Sequence, residues 1–181
     1  RQGIVVVNTP DSNSFSAGEQ TIALMLASAR NLPQAHQTVK GGGWGRSRYM
    51  GSELYGKTVG IVGLGRIGSF VATRLKAFQM RVLAYDPYIP LERFKRFGAE
   101  RIETLNELVR LSDFITVHTP KTEETIGMIG KEQFQIAKRG VRVVNCARGG
   151  IINEEALAWA LREGIAASAA LDVFSKEPCA G

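Results

Sequence analysis

The stretch Thr58-Val-Gly-Ile-Val-Gly63-Leu-Gly-Arg-Ile-Gly68 decides the fold, because it joins a short apolar run to a glycine-rich turn and then to a helix-like segment. Gly63 allows a tight turn, Gly65 lets the backbone approach a pyrophosphate, and Gly68 lets the helix pack closely on the strand. The first N–H groups of that helix would then face the phosphates. The pattern predicts a dinucleotide-binding loop between a strand and a helix.

The next predicted strand, Arg81–Tyr85, is followed at once by Asp86, which lies 18 residues beyond Gly68. A carboxylate at this position accepts hydrogen bonds from the adenosine ribose and repels a 2′-phosphate, so it predicts NAD rather than NADP. A G-x-G-x-x-G pattern is weak evidence by itself, and its plainer interpretation is a packing turn. The ordered series of strand, glycines, helix, strand and acid favours the dinucleotide site.

Strand-like and helix-like segments alternate from here to the end of the chain. Further strands are predicted at 113–118, 141–146 and 168–173, with a weak one near 99–102, and further helices at 91–97, 105–111, 131–137 and 154–163. Short strands rich in valine and isoleucine are typical of a parallel sheet covered on both faces. The fold class predicted is α/β, a Rossmann-type doubly wound parallel sheet of about six strands in the order 3-2-1-4-5-6.

The segment before this alternation contains two further local signals. The apolar run at 4–7 predicts a short buried strand, and Ser16-Ala-Gly-Glu19 predicts a capping box that opens a helix ending near Arg30. That helix is apolar around more than one face, so it is expected to pack against more than one neighbour. A second capping box is predicted at Thr104-Leu-Asn-Glu107.

Composition excludes several classes of protein. The 181 residues are 44% hydrophobic and 22% charged, which is ordinary for a globular domain. No apolar stretch is long enough to cross a membrane. Two cysteines and two distant histidines, His36 and His118, supply neither a disulfide framework nor a metal cluster. We expect no metal, no membrane partner and, since no leader is visible, a cytoplasmic location.

Two other motifs are better explained without a function. The segment 51–58 matches the phosphate-binding GxxxxGK[ST] pattern, but Thr58 leads into a strand instead of opening a helix. The net charge of +6 and the glycine, aromatic and basic residues at 40–49 permit a nucleic-acid partner. A connector with a packing Trp44 is the simpler interpretation, so no nucleic-acid partner is expected.

Ligands of such sheets bind at the carboxyl ends of the strands, where several chemically capable residues are predicted to lie. Arg148, flanked by glycines, is either a solvated turn residue or a planar fork for a carboxylate or carbonyl, and we favour the fork. Glu177 is equally well explained as a surface acid. His118 is expected to fix a loop, and Cys146 taken alone to be a small packing residue.

Four blocks of the sequence, at 50–68, 113–120, 141–150 and 171–178, resemble the cofactor domain of the D-2-hydroxyacid dehydrogenases. The resemblance covers nearly the whole chain. It implies an NAD-dependent oxidoreductase acting on a small 2-hydroxy acid, with 3-phosphoglycerate, the precursor of serine, as the favoured substrate. It also implies a homodimer or higher homo-oligomer formed through this domain.

The resemblance further implies the roles of individual residues. Arg148 would bind and polarise the substrate, and Glu177 would raise the basicity of an acid–base histidine. Cofactor contacts are implied for Gly63, Gly65, Arg66, Ile67, Gly68, Asp86, Thr119, Cys146, Ala147, Arg148 and Asp172.

The sequence departs from the family pattern at its ends. The acid–base histidine should follow Glu177 by more than a dozen residues, and the chain stops at Gly181. We therefore expect an excised cofactor domain that binds NAD without turnover. Residues 1–10 would be a remnant strand and hinge of the substrate domain, and residues 11–181 the dinucleotide-binding domain, with an N-terminal helical segment at about 16–56.

Two alternatives remain open at this point. A glyoxylate or hydroxypyruvate reductase of the same family would share Arg148 and Glu177. A non-enzymatic NAD sensor, similar to the corepressors that have this fold, would bind a peptide partner instead of a substrate.

Overall fold

The computed structural model describes residues 3–5, 7 and 13–179. Its helices are α1 Ser14–Ala29, α2 Leu32–Lys40, α3 Arg66–Ala77, α4 Leu91–Arg96, α5 Leu105–Leu111, α6 Lys131–Ile136 and α7 Glu154–Arg162. Its strands are β1 Thr58–Val62, β2 Arg81–Tyr85, β3 Glu100–Arg101, β4 Phe114–Val117, β5 Val141–Asn145 and β6 Ala166–Leu171. A short 3₁₀ turn, Arg46–Tyr49, follows α2.

The six strands form one parallel sheet in the order β3-β2-β1-β4-β5-β6, which confirms the predicted topology. The chain leaves β1 toward β2 and β3 on one side, and later returns to add β4, β5 and β6 on the other. Val62 at the end of β1 pairs with Tyr85 in β2 and with Val117 in β4, and Val117 pairs with Asn145 in β5. The strands therefore end side by side, and the residues that follow them meet at one edge of the sheet.

Two hydrophobic clusters, one on each face of the sheet, hold the helices in place. One includes Val59 and Ile61 of β1 and packs under α1, α3 and α4. The other includes Ile115 of β4 and packs under α5, α6 and α7. Gly60 allows the segment at the end of α5 to approach β1 closely, because a Cβ there would lie 2.2 Å from the Ser112 hydroxyl. Helices on both faces are thus confirmed.

The N-terminal segment corrects two predictions. Helix α1 begins at Ser14, so Ser16 lies inside the helix and the capping box predicted there is wrong. Ile4, Val5 and Val7 are not in a strand and are 74%, 82% and 83% exposed, so the predicted buried strand is wrong for these residues. An apolar run forms a strand only beside a partner, and these residues have no pairing in the described part of the chain. Val6 lies outside the described residues.

Other local predictions are confirmed. The Thr104 hydroxyl accepts a hydrogen bond from the Glu107 N–H at 3.2 Å and caps α5, which confirms the Thr104 half of the predicted capping box. Helix α1 packs against α3, β5 and β6, as its many-sided apolar surface predicts. The division into a hinge at 1–10 and a domain at 11–181 stays a prediction.

Candidate functional site

A cleft of about 370 Å³ opens where β1, β2 and β4 end. Gly63 and Gly65 form one side of it, Asp86 and Tyr88 a second, and Thr119 with its neighbours a third. This is the point at which the strand order reverses, the usual ligand position in open α/β sheets. The topology therefore brings three separate loops to one site.

The glycine loop leaves no room for side chains except toward the cleft. Gly63 has φ +89°, and a Cβ there would lie 2.9 Å from the His118 carbonyl oxygen. A Cβ on Gly68 would lie 2.0 Å from the Gly63 oxygen, so α3 starts directly on the loop. Gly65 is different, because a Cβ there meets nothing within 4 Å. Gly65 is the residue before α3 and provides no side-chain cap, so this open space adjoins the first N–H groups of the helix, which are suited to phosphate.

Asp86 holds two loops together. One carboxylate oxygen accepts a hydrogen bond from the Leu64 N–H at 2.9 Å, and the other accepts one from the Tyr88 N–H at 3.0 Å. The side chain is half-buried at the cleft. Each carboxylate oxygen has a second lone pair, so Asp86 keeps acceptor capacity for ribose hydroxyls.

The third loop supplies an unpaired polar atom. The Thr119 hydroxyl is buried in the cleft wall and has no hydrogen-bond partner among the described residues. Buried polar groups are nearly always paired, so this oxygen marks a position for a ligand's polar atom. Together with the open space at Gly65 and the Asp86 carboxylate, it fits a dinucleotide in this cleft.

His118, beside Thr119, is suited to structure more than to proton transfer. Burial lowers the pKa of its imidazole to about 4, so the ring is neutral near pH 7. The ring nitrogen Nε2 lies 3.1 Å from the hydroxyl of Thr116, which lies in β4 two residues earlier. This agrees with the prediction that His118 fixes the loop.

A hydrogen bond that sequence reasoning missed crosses the mouth of the cleft. The Tyr88 hydroxyl donates to the Glu124 carboxylate, and both residues line the cleft. This hydrogen bond and the negative charge of Glu124 raise the pKa of Tyr88. The two residues are 36 positions apart in the chain, and no local sequence signal pairs them.

The loop after β5 carries Arg148, and buried Asn145 positions it. Asn145 donates from Nδ2 to the Arg148 carbonyl at 3.0 Å and accepts from the Ala147 N–H at 3.0 Å. The guanidinium of Arg148 is exposed and donates to the Ala147 carbonyl at 2.7 Å. Asn145 was missed as a functional residue, although a polar residue at the end of an apolar strand is a signal that could have identified it.

The segment that follows β6 is fixed against this loop. The Asp172 N–H donates to the Asn145 carbonyl at 2.9 Å. Gly149 is packed so closely that a Cβ there would lie 1.8 Å from the Phe174 carbonyl oxygen. Glu177 is exposed and accepts a hydrogen bond from the Phe174 N–H at 2.9 Å. The segment carrying Glu177 and the loop carrying Arg148 are therefore neighbours.

Cys146 is buried under α1. Burial raises the pKa of its thiol, the charge of Asp172 raises it further, and a hydrogen bond with Thr21 acts in the opposite direction. This environment agrees with a packing role and keeps the thiol protonated.

The predicted site residues fall into two groups in space. Gly63, Gly65, Asp86 and Thr119 line the cleft. The others do not line it and lie on α3 or along the same sheet edge: Arg66, Ile67, Gly68, Cys146, Ala147, Arg148, Asp172 and Glu177.

No group of three or more His, Cys, Asp or Glu side chains among the described residues could hold a metal ion. Within the same residues, no helix has the length and apolar character needed to span a bilayer.

Residues 22–181 match the family described as D-isomer specific 2-hydroxyacid dehydrogenase, NAD binding domain. The chain belongs to this family. The predictions of the family, of NAD as the cofactor and of the Rossmann-type fold are confirmed.

The chain is 53% identical over 177 residues to a D-3-phosphoglycerate dehydrogenase of Methanocaldococcus jannaschii. The alignment covers 98% of this chain and 34% of that protein. It is 52% identical over 178 residues to the human enzyme of the same name, covering 98% of this chain and 33% of that protein. The chain thus spans about a third of the length of these curated relatives.

Solved structures of the family share the fold. A D-lactate dehydrogenase from Aquifex aeolicus, complexed with NAD and lactic acid, superposes with a TM-score of 0.87 at 36% identity, covering 97% of this chain and 53% of that one. The apo D-lactate dehydrogenase from Escherichia coli gives a TM-score of 0.88 at 32% identity, covering 97% and 55%.

Proposed function

We propose that this chain is the NAD-binding domain of a D-3-phosphoglycerate dehydrogenase, the enzyme that oxidises 3-phosphoglycerate to 3-phosphohydroxypyruvate at the start of serine synthesis. The observation that carries the proposal is the cleft, where the open glycine cradle, the Asp86 carboxylate and the unpaired Thr119 hydroxyl converge. The substrate is supported by relatives that are 50–54% identical and carry this name.

Each of the predicted site residues, in the cleft or beside it, has a distinct role toward the cofactor. The first N–H groups of α3, with Arg66 and Ile67, hold the pyrophosphate, and Asp86 holds the adenosine ribose while it fixes the glycine loop. Thr119, Cys146, Ala147 and Asp172 border the rest of the NAD molecule. NAD, when bound, exchanges a hydride with C2 of the hydroxy acid.

Arg148 and Glu177 act on the substrate side. The exposed guanidinium of Arg148 offers a planar set of donors for the substrate carboxylate and C2 oxygen. Glu177 would raise the basicity of an acid–base histidine.

An exposed apolar surface supports a homodimer or higher homo-oligomer. Leu32, Val39, Trp44 and Met50 lie on α2 and the segment after it and are 53%, 58%, 85% and 81% exposed. Clustered exposed apolar side chains of this size mark interfaces between proteins. Sedimentation should give a dimer for the wild type and a monomer for Trp44→Ser. A monomeric wild type at high concentration would contradict the proposal.

The remaining assignments concern organisation and location. We propose residues 1–10 as a hinge toward a substrate domain and residues 11–181 as the cofactor domain. Cys146 and Cys179 are free, as suits a reducing compartment, and the proposed location is the cytoplasm.

Isothermal titration with NADH and NADPH tests the cofactor site. The wild type should bind NADH about tenfold or more tightly than NADPH. A Cβ at Gly65 meets nothing within 4 Å, so Gly65→Val places its side chain in the open cradle and should abolish NADH binding with little change in melting temperature. Gly41→Ala, where a Cβ makes an ordinary 3.4 Å contact, is the matched control. Absence of NADH binding to the wild type, or equal binding by Gly65→Val, would contradict the proposal.

Activity of a full-length parent against a panel of 2-hydroxy acids and 2-oxo acids tests the substrate. Preference for 3-phosphoglycerate over lactate and glyoxylate is expected. A preference for lactate or glyoxylate would contradict the proposed substrate, whereas the proposal of the NAD site would still hold.

A further inference from the structure

Side chains from three other parts of the chain hold the backbone of Leu64, the residue at the centre of the glycine loop. The Leu64 side chain is fully buried in the core on one face of the sheet. Its N–H donates to the Asp86 carboxylate at 2.9 Å. Its carbonyl oxygen accepts two hydrogen bonds, one from the buried Ser69 hydroxyl at 2.9 Å and one from Nε of Arg93 at 3.2 Å. Both polar groups of the Leu64 backbone are therefore fixed.

Arg93 is the charged donor of this pair, and it lies in α4, 29 positions from Leu64. The next residue, Phe94, is fully buried and anchors α4 in the core. The guanidinium carbon of Arg93 lies 5.6 Å from the centre of the Phe97 ring. The side chain is half-buried, so its hydrogen bond is less screened by water than one at the surface. The packing of α4 thus directs a positive charge at the carbonyl oxygen of the glycine loop.

The Leu64 carbonyl and the Gly65 N–H belong to one planar peptide group. Hydrogen bonds to the carbonyl oxygen draw electron density toward it and make the N–H a stronger donor, and a charged donor has the larger effect. They also fix the direction of the N–H, because the planar group cannot turn while its oxygen is held. Gly65 lines the dinucleotide cleft, beside open space. Arg93 does not line the cleft, so it can act there through this peptide group.

Arg96 shows what Arg93 would do without this hydrogen bond. It lies three residues later, at the end of α4, and its guanidinium carbon is 5.5 Å from the centre of the same Phe97 ring. Among the described residues, the hydrogen bond from α4 to the Leu64 carbonyl comes from Arg93 and not from Arg96. The two arginines therefore share a helix, a charge and an aromatic neighbour, and they differ in the contact with the loop.

We propose that Arg93 is a positioning residue for the cofactor, which orients and polarises the peptide group between Leu64 and Gly65 so that the Gly65 N–H binds the pyrophosphate. The inference rests on the proposed function, because it names a further residue of the same site. A donor strengthened by a positive charge stabilises an anionic ligand more than a neutral one. The effect of Arg93 should therefore depend on the phosphates of the ligand.

Calorimetric titrations with NADH, ADP and adenosine test this dependence, because NADH and ADP contain a pyrophosphate and adenosine contains no phosphate. Arg93→Met places a methyl carbon at the side-chain position of Nε, so it removes the donor and the charge with little change in length. This variant should weaken the binding of NADH and ADP about fivefold or more, since it removes a charge-assisted hydrogen bond. The affinity for adenosine should change less than about twofold.

Two further variants separate the hydrogen bond from the charge. Arg93→Gln places an amide N–H at the side-chain position of Nε without the charge, and it should weaken NADH binding about threefold or less. Arg96→Met is the matched control, because it removes the same charge from the same helix and ring, and it should change the affinity less than about twofold. Circular dichroism shows whether each variant is folded at the titration temperature. Arg93→Ala replaces Arg93→Met if the latter is not folded.

Four results would overturn the inference. Unchanged NADH affinity in Arg93→Met would show that the hydrogen bond has no effect on the cofactor. Equal weakening by Arg96→Met, or by Arg93→Gln, would assign the effect to charge alone, and an equal loss of adenosine binding would assign it to the fold. If the wild type does not bind NADH, the proposed function fails and this inference fails with it, whereas the other four results concern Arg93 alone.

Discussion

Replacing Asp86 by asparagine tests loop geometry and cofactor choice together. The two carboxylate oxygens accept hydrogen bonds from the N–H groups of Leu64 and Tyr88, at 2.9 Å and 3.0 Å. An asparagine has one acceptor oxygen, and its NH₂ group would face one of these N–H donors. Asp86→Asn therefore breaks one hydrogen bond and brings two donors together.

The expected loss of stability follows from the type of hydrogen bond that is broken and from its surroundings. A hydrogen bond to a charged group contributes about 1.5–3 kcal/mol, and the half-buried position of Asp86 favours the lower end. We expect the free energy of unfolding to fall by about 1.5–2 kcal/mol. Two unit charges about 5 Å apart interact by roughly 1–3 kcal/mol at effective dielectric constants of 80 to 20. Removing the Asp86 charge should therefore improve NADPH binding relative to NADH by about tenfold.

Urea unfolding followed by circular dichroism gives the stability, and fluorescence titrations with NADH and NADPH give the cofactor ratio. Glu163→Gln is the control, since it removes one exposed carboxylate at the end of α7. If Asp86→Asn unfolds at the same urea concentration as this control and keeps the wild-type cofactor ratio, Asp86 neither holds the loop nor selects the cofactor.

Three further predictions concern other parts of the site. Burial lowers the pKa of His118 from 6.5 to about 4, so the unfolded chain takes up the proton first. The free energy of unfolding should then fall by up to about 3 kcal/mol as the pH drops from about 6.5 to about 4. The variant His118→Gln should flatten this part of the pH profile. If the slope is unchanged in the variant, His118 is not the cause of the pH dependence. In Gly149→Ala the new Cβ would lie 1.8 Å from the Phe174 carbonyl oxygen, so the free energy of unfolding should fall by about 1–3 kcal/mol. The segment that carries Glu177 should then become sensitive to limited proteolysis, whereas it should stay resistant in the control Gly41→Ala. A thiol reagent should modify the exposed Cys179 quickly and the buried Cys146 only on unfolding, so two fast thiols per native chain would contradict the observed burial.

Much of the fold and part of the site could be predicted from local patterns. The glycines at 63, 65 and 68 and the acid at 86 are spaced along two consecutive strands and one helix, so their geometry depends on short-range rules. The strand order is that of the dinucleotide-binding fold, which the glycine motif and the alternation of strands and helices predict together. Predictions that depended on a residue far away in the chain were less accurate. The apolar run at 4–7 predicts a strand, but its described residues pair with no sheet.

The cap predicted at Ser16 failed for a different reason. A capping box is a four-residue pattern, and the four residues alone cannot show that a helix has already begun two residues earlier, at Ser14. At Thr104 the predicted cap formed, because β3 ends only three residues earlier, at Arg101, and leaves the helix no earlier start.

The sequence by itself determined the class of the protein: a doubly wound sheet, a glycine loop that faces phosphates and an acid at the ribose position. Only the tertiary structure decided which side chains meet. It joined Tyr88 to Glu124 across the cleft and left the Thr119 hydroxyl without a hydrogen-bond partner among the described residues. The physical reason is that backbone conformation depends on near neighbours in the chain, whereas pairing and electrostatic fields depend on distances that exist only after the layers have packed.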